Sequence, residues 1–121
     1  MKKFVSSALI LLSACSLNSW AKDFYVAPAA NENGKGTLAS PFASLSEAQL
    51  AVRASLKSGL KEDINVYLRG GEYKLNKTLV LGLQDSPEDG YKLTFKAYKN
   101  EEPVLSSGVT INGWKKVSTL P

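Results

Sequence analysis

From residue 64 to residue 113 the chain alternates short apolar runs with clusters of Gly, Asn, Asp and Pro. Ile64, Val66 and Leu68 alternate with Asn65 and Tyr67, a period of two that marks a strand with one buried face. Tyr73 and Leu75 resume the alternation beyond Gly70-Gly71. Residues 78–81 (TLVL) form a continuous apolar run, which predicts a strand buried on both faces. Residues 84–90 (QDSPEDG) read as a polar turn, and 93–97, 104–105 and 109–111 as further short strands. Upstream, residues 22–27 predict a strand with Phe24 and Val26 on one face and Asp23 and Tyr25 on the other. Pro28 ends it, and the Asn- and Gly-rich residues 29–40 predict a loop.

One segment follows helical spacing instead. Leu45, Ala48, Val52 and Leu56 make an apolar face. Ser44 and Glu47 form a capping box, with Phe42 placed to staple against Ala48. Arg53 and Lys57 complement the negative end of the helix, and Gly59 is the expected C-terminal cap. The helix is predicted over about 44–58. Short strands, irregular turns and a single helix fit two mainly β architectures. One is the first one to two coils of a right-handed parallel β-helix with the helix as its N-terminal cap; the other is a small β-sandwich. The Asn33-Gly34 and Asn112-Gly113 steps join no convincing strand pair, so tight antiparallel hairpins are not signalled and the solenoid is favoured.

Composition matters most at the N-terminus. Lys2 and Lys3 precede an apolar stretch over 4–12 that is too short to span a bilayer, the layout of a secretory signal peptide. Ser19-Trp20-Ala21 predicts a signal peptide over 1–21 and an exported fold over 22–121. Leu12-Ser13-Ala14-Cys15 instead resembles a lipoprotein box, which would lipidate Cys15 and anchor the chain to the outer membrane. Both readings predict export, to the periplasm, to the medium or to a membrane surface. Cys15 is the single cysteine and there is no His, which excludes an internal disulfide, a Cys/His zinc site and any Ser-His-Asp arrangement. The formal charge is +4; with Lys2 and Lys3 set aside, 13 basic residues face 11 acidic ones from residue 22 onward. No basic stripe is visible, which argues against a nucleic-acid partner.

The order of several blocks is specific. Phe24-Tyr25-Val26-Ala27-Pro28, a Gly-rich loop, then Gly36-Thr37-Leu38-Ala39-Ser40-Pro41-Phe42 and Val66-Tyr67-Leu68-Arg69-Gly70-Gly71-Glu72-Tyr73 resemble the opening of the pectate-lyase-like family of exported right-handed parallel β-helix proteins. Ala97-Tyr98, Pro103-Val104-Leu105-Ser106 and Gly108 through Trp114 continue the resemblance over nearly all of the chain past the leader. It implies a carbohydrate-active protein, a glycoside hydrolase or polysaccharide lyase, with a polysaccharide partner and a helix capping the open end of the solenoid. Family grooves lie on later coils, so the resemblance implies that these residues are an N-terminal segment without catalytic residues of their own. Two alternatives remain open: a non-catalytic carbohydrate-binding or surface module, and an inactive truncated remnant.

Candidate chemistry is sparse. Asp85, Glu88 and Asp89 are the densest acidic group; they could bind Ca²⁺, the one cofactor in question, or form a solvated turn. Arg69 could hold a uronate carboxylate or be a corner residue bonded to backbone or to a Glu. Carboxylate pairs such as Glu72 with Asp85 could be offered for glycoside hydrolysis, but nothing selects one. Lys74 and Lys77 could supply a lyase base or merely solubilise a strand edge. Tyr25, Tyr67, Tyr73, Tyr91, Tyr98 and Trp114 could stack on sugars or on one another. Gly70-Gly71 and Ser107-Gly108 read as turns needing positive φ.

Overall fold

The structure, a computed structural model, describes residues 20–119. The expectations that fall on residues 1–19, including lipidation at Cys15, lie outside the described residues. Strand β1 spans Ala21–Val26, helix α1 Leu45–Lys57, β2 Asp63–Leu68, β3 Gly71–Lys74, β4 Leu93–Ala97 and β5 Pro103–Ser106. A single turn of 3₁₀ helix occupies Leu83–Asp85.

Every strand pair is parallel. One sheet has the order β1-β2-β4, and β3 pairs with β5 in a second sheet. The antiparallel pairing of a small sandwich is therefore absent among the described residues. In the larger sheet Val66 lies between Phe24 and Phe95, and Leu68 between Val26 and Ala97. Period-two alternation puts Phe24, Val26, Ile64, Val66 and Leu68 on the inner face, where all are buried. Ile64, Val26, Val52 and Val66 are the largest fully buried side chains. Each contributes about 1.5–3 kcal/mol by leaving water.

Helix α1 starts and stops for local reasons. Ser44 Oγ accepts from Glu47 N–H at 3.2 Å, and Glu47 Oε2 accepts from Ala43 N–H at 2.9 Å, so the acidic arm reaches one residue beyond the cap. Gly59, at φ +85, donates its N–H to Leu56 O at 3.0 Å and turns the chain off the helix. Leu45, Ala48 and Val52 are buried in the common core. Phe42 is partly buried and packs against this same core; its ring lies 5.9 Å from Phe24, and its backbone forms a bridge with Val26.

That bridge finishes one sheet edge. Tyr25 N–H donates to Gly36 O, Phe42 N–H to Tyr25 O and Ala27 N–H to Phe42 O, each at 2.9 Å. The loop needs glycine at position 36, where φ is +73 and a Cβ would run into the Phe42 and Phe24 rings. At the other edge, β4 and β5 have no strand partner beyond β2 and β3 among the described residues.

Two predicted strands are not formed. Residues 78–81 are irregular, with Val80 66% exposed, and residues 109–111 are irregular with Val109 85% exposed. An apolar run reports what a segment can bury, not what it pairs with: Leu79 packs against the core and Val80 O accepts from Gln49 Nε2 at 2.7 Å, but neither segment has a strand partner among the described residues. The polar turn over 84–90 also differs from expectation at its first turn: Leu83–Asp85 is helical and Asp85 is only 2% exposed. Of the predicted glycine turns, Gly71 has positive φ (+125), whereas Gly70 and Gly108 do not.

Candidate functional site

The predicted site residues separate into structural anchors, exposed singles and one cluster. Asp85 is an anchor. Its carboxylate accepts from Arg53 Nε, Arg53 Nη2 at 3.0 Å, Gln49 Nε2 at 3.1 Å and Gly82 N–H at 2.9 Å. The Arg53 guanidinium holds this carboxyl down at about 2, against the opposing effect of burial, with Gly82 and Gln49 adding to the pull. Its donors come from α1 and from its own turn, so neither the calcium reading nor the solvated-turn reading of Asp85 holds. Glu88 and Asp89 are exposed, and Asp89 lies 3.8 Å from Lys61 Nζ. No group of three or more His, Cys, Asp or Glu among the described residues is arranged to hold a metal ion.

Glu72 lies along a cleft of about 440 Å³ with Lys74 and Lys77, beside the start of α1, and Asp85 is no part of that cleft. The two carboxylates therefore do not face a common space. Tyr73 is buried, and its hydroxyl lies 2.9 Å from Val26 O and 2.7 Å from Arg69 O, able to donate its proton to either. Burial pushes it up to about 12. Tyr91 is exposed, and Trp114 is 83% exposed.

Arg69 is the corner residue that the second reading anticipated. Its Nε donates to Glu101 at 2.8 and 3.0 Å, and Glu101 also accepts from Gly70 N–H at 2.7 Å. The Arg69 hydrogen bond, then that of Gly70, holds the Glu101 carboxyl below its ordinary range. Arg69 also opens onto the cluster. Its guanidinium sits 5.0 Å above the Tyr98 ring.

The cluster lies on the outer face of the larger sheet. Alternation sends Asp23 and Tyr25 outward from β1, and Asn65 and Tyr67 from β2. Parallel register sets Tyr25 directly beside Tyr67, so their rings stack at 5.2 Å and 15°. Tyr98, just past β4, meets both edge-on at 5.7 and 5.9 Å. Lys96 Nζ lies 4.8 Å from the Tyr67 ring centre, and Lys99 Nζ 5.2 Å from that of Tyr98. Burial, then the Asp23 charge and the neighbouring phenols, push the Tyr25 hydroxyl above its ordinary range. The expectation that tyrosines stack on each other holds for this trio and fails for Tyr73 and Tyr91. The roles of Lys96 and Lys99 were missed. Their signal lay in the outward parity of Lys96 and in the single residue separating Lys99 from β4.

No protein-family model and no curated protein matches the chain. Among solved structures, a protein described as a glycoside hydrolase superposes with a TM-score of 0.72 and 27% sequence identity. The match covers 80% of this chain and 17% of that one, so the chain spans about a sixth of the length of its structural neighbour.

Proposed function

We propose that residues 22–119 form the capped first coils of a right-handed parallel β-helix belonging to an exported, carbohydrate-active protein of the glycoside hydrolase kind. The observation that carries this reading is the superposition on a glycoside hydrolase over 80% of the chain at 27% identity. The parallel pairing of β1-β2-β4 and β3-β5 supports it, because successive turns of a solenoid stack their strands in parallel. Handedness follows from chirality: parallel crossover connections are right-handed in about 98% of cases. The leader over 1–21 would direct export.

Within this reading the described residues supply a scaffold, and glycosidic bond cleavage belongs to further coils. Hydrolysis of this kind needs two carboxylates facing a shared cleft. Here Asp85 and Glu101 are each spent on an arginine. The test compares residues 22–121 with the whole product of the reading frame that carries them. The reading expects the whole product to release reducing ends from a polysaccharide panel and residues 22–121 to release none. Cleavage by residues 22–121 alone would overturn it.

A further inference from the structure

The chain contains two Asn-Gly steps, and the fold holds them differently. Asn33-Gly34 sits in the loop that bridges to β1. Asn33 is in the left-handed region at φ +70, and Lys35 N–H donates to Ser40 O at 2.9 Å. Gly34 abuts the Pro41 carbonyl so closely that a Cβ would run into it. Asn112-Gly113 lies past β5, in an irregular and exposed segment. Residues 109–113 make no backbone hydrogen bond among the described residues. A Cβ on Gly113 would meet nothing within 4 Å.

We propose that Asn112 is a site of spontaneous deamidation and that the fold shields the identical step at Asn33. Hydroxide removes the Gly113 amide proton, and the freed nitrogen attacks Asn112 Cγ. A bond forms between that nitrogen and Cγ, the Cγ–Nδ2 bond breaks, and Nδ2 leaves as ammonia after taking a proton from water. Water then adds to either carbonyl of the succinimide ring. The ring opens to aspartate or to isoaspartate, in which the main chain runs through the former side chain. No electron changes hands, and water is the only co-reactant. Glycine leaves the attacking nitrogen least hindered because it has no Cβ. Ring closure swings the glycine peptide plane about the Asn ψ bond. At Asn112 that swing meets open solvent. At Asn33 it works against the Pro41 carbonyl and the Lys35–Ser40 bond, so attack waits for the loop to open locally. Each event turns a neutral amide into a carboxylate and lowers the formal charge of +4 by one.

Incubation of the purified chain at mildly alkaline pH, with peptide mass mapping over time, tests this. Asn112 should convert to the acid about tenfold or more faster than Asn33, the factor set by the free energy of opening the loop. In denaturant the two steps should react at similar rates, through acceleration at Asn33. Gly113→Val should slow conversion at Asn112 about tenfold or more, because a β-branched side chain crowds the attacking nitrogen. Gly113 lies outside the core, so this variant keeps its fold, which circular dichroism checks. Equal rates at the two steps in the folded chain, or no conversion at Asn112, would overturn the inference. A rate ratio unchanged by denaturant would do the same, because the difference would then owe nothing to the fold. So would a Gly113→Val variant that converts as fast as the wild type.

Discussion

The two ends of the strand stack are built differently. At the α1 end the helix covers the core with Leu45, Ala48 and Val52, and residues 36–42 satisfy the free edge of β1. The turn at Leu83–Asp85 is locked to the helix through Asp85, Arg53 and Gln49. At the β4–β5 end, Leu79, Leu81, Phe95 and Leu105 line an open apolar groove of about 370 Å³, and Leu105 is 50% exposed. A stack of parallel strands has no natural end, since each strand leaves a row of donors and acceptors for the next. The α1 end shows what finishing such a stack takes: a helix, a bridging loop and an ion pair on a buried carboxylate. The β4–β5 end carries none of these among the described residues. Under the β-helix proposal, it is the face on which another coil stacks.

Substitutions at matched positions sharpen the contrast. Ile64→Ala, in the middle strand and fully buried, should lower stability by about 3–4 kcal/mol in denaturant melts, because the cavity is closed in on both sides. A loss under 1 kcal/mol would mean the stack is not packed as described. Asp85→Ala should cost about 2 kcal/mol, less than for a fully enclosed pair because the Arg53 side chain is 31% exposed and can turn to solvent. Acid should reach the same result without mutation. The Asp85 carboxyl titrates at about 2 when folded against an ordinary 3.8, so its contribution is full above about pH 5 and is lost as pH falls through 3.8 toward about 2. The Asp85→Ala variant should lack that part of the acid transition, and an unchanged acid profile would remove the clamp from the account. Leu105→Lys, on the open groove, should change stability by no more than about 0.5 kcal/mol while reducing any self-association seen by analytical ultracentrifugation. A loss as large as that of Ile64→Ala would show that this end is already covered.

Much of the capped end was legible in the sequence. The period of two in β2 and the Ser44–Glu47 box of α1 are local signals, and each element forms within one or two residues of its expected bounds. The open end was misread for a physical reason. Residues 78–81 and 109–111 are apolar enough to be strands, but a strand also needs a partner, and none of the described elements supplies one. The Asp85 clamp escaped notice because its arginine lies 32 positions upstream on a helix that only the fold brings near. The tyrosine face was half visible. Alternation placed Tyr25 and Tyr67 outward, but their adjacency depends on register across connections of unequal length: Lys22 pairs with Ile64, and Ile64 with Leu93. Composition and periodicity do not encode that register.

Amide hydrogen exchange on the monomeric protein tests the contrast between the ends most directly. At the capped edge, the Tyr25 and Ala27 N–H groups donate to the bridging loop and should exchange slowly. On β4, Tyr98 N–H donates to Leu68 O, so alternation turns the Lys96 amide toward β2 and the Phe95 and Ala97 amides toward the free edge. The account predicts protection at Tyr25, Ala27 and Lys96 and fast exchange at Phe95 and Ala97. Protection of Phe95 and Ala97 equal to that of Lys96 would contradict it, because the edge described as open would then already be paired.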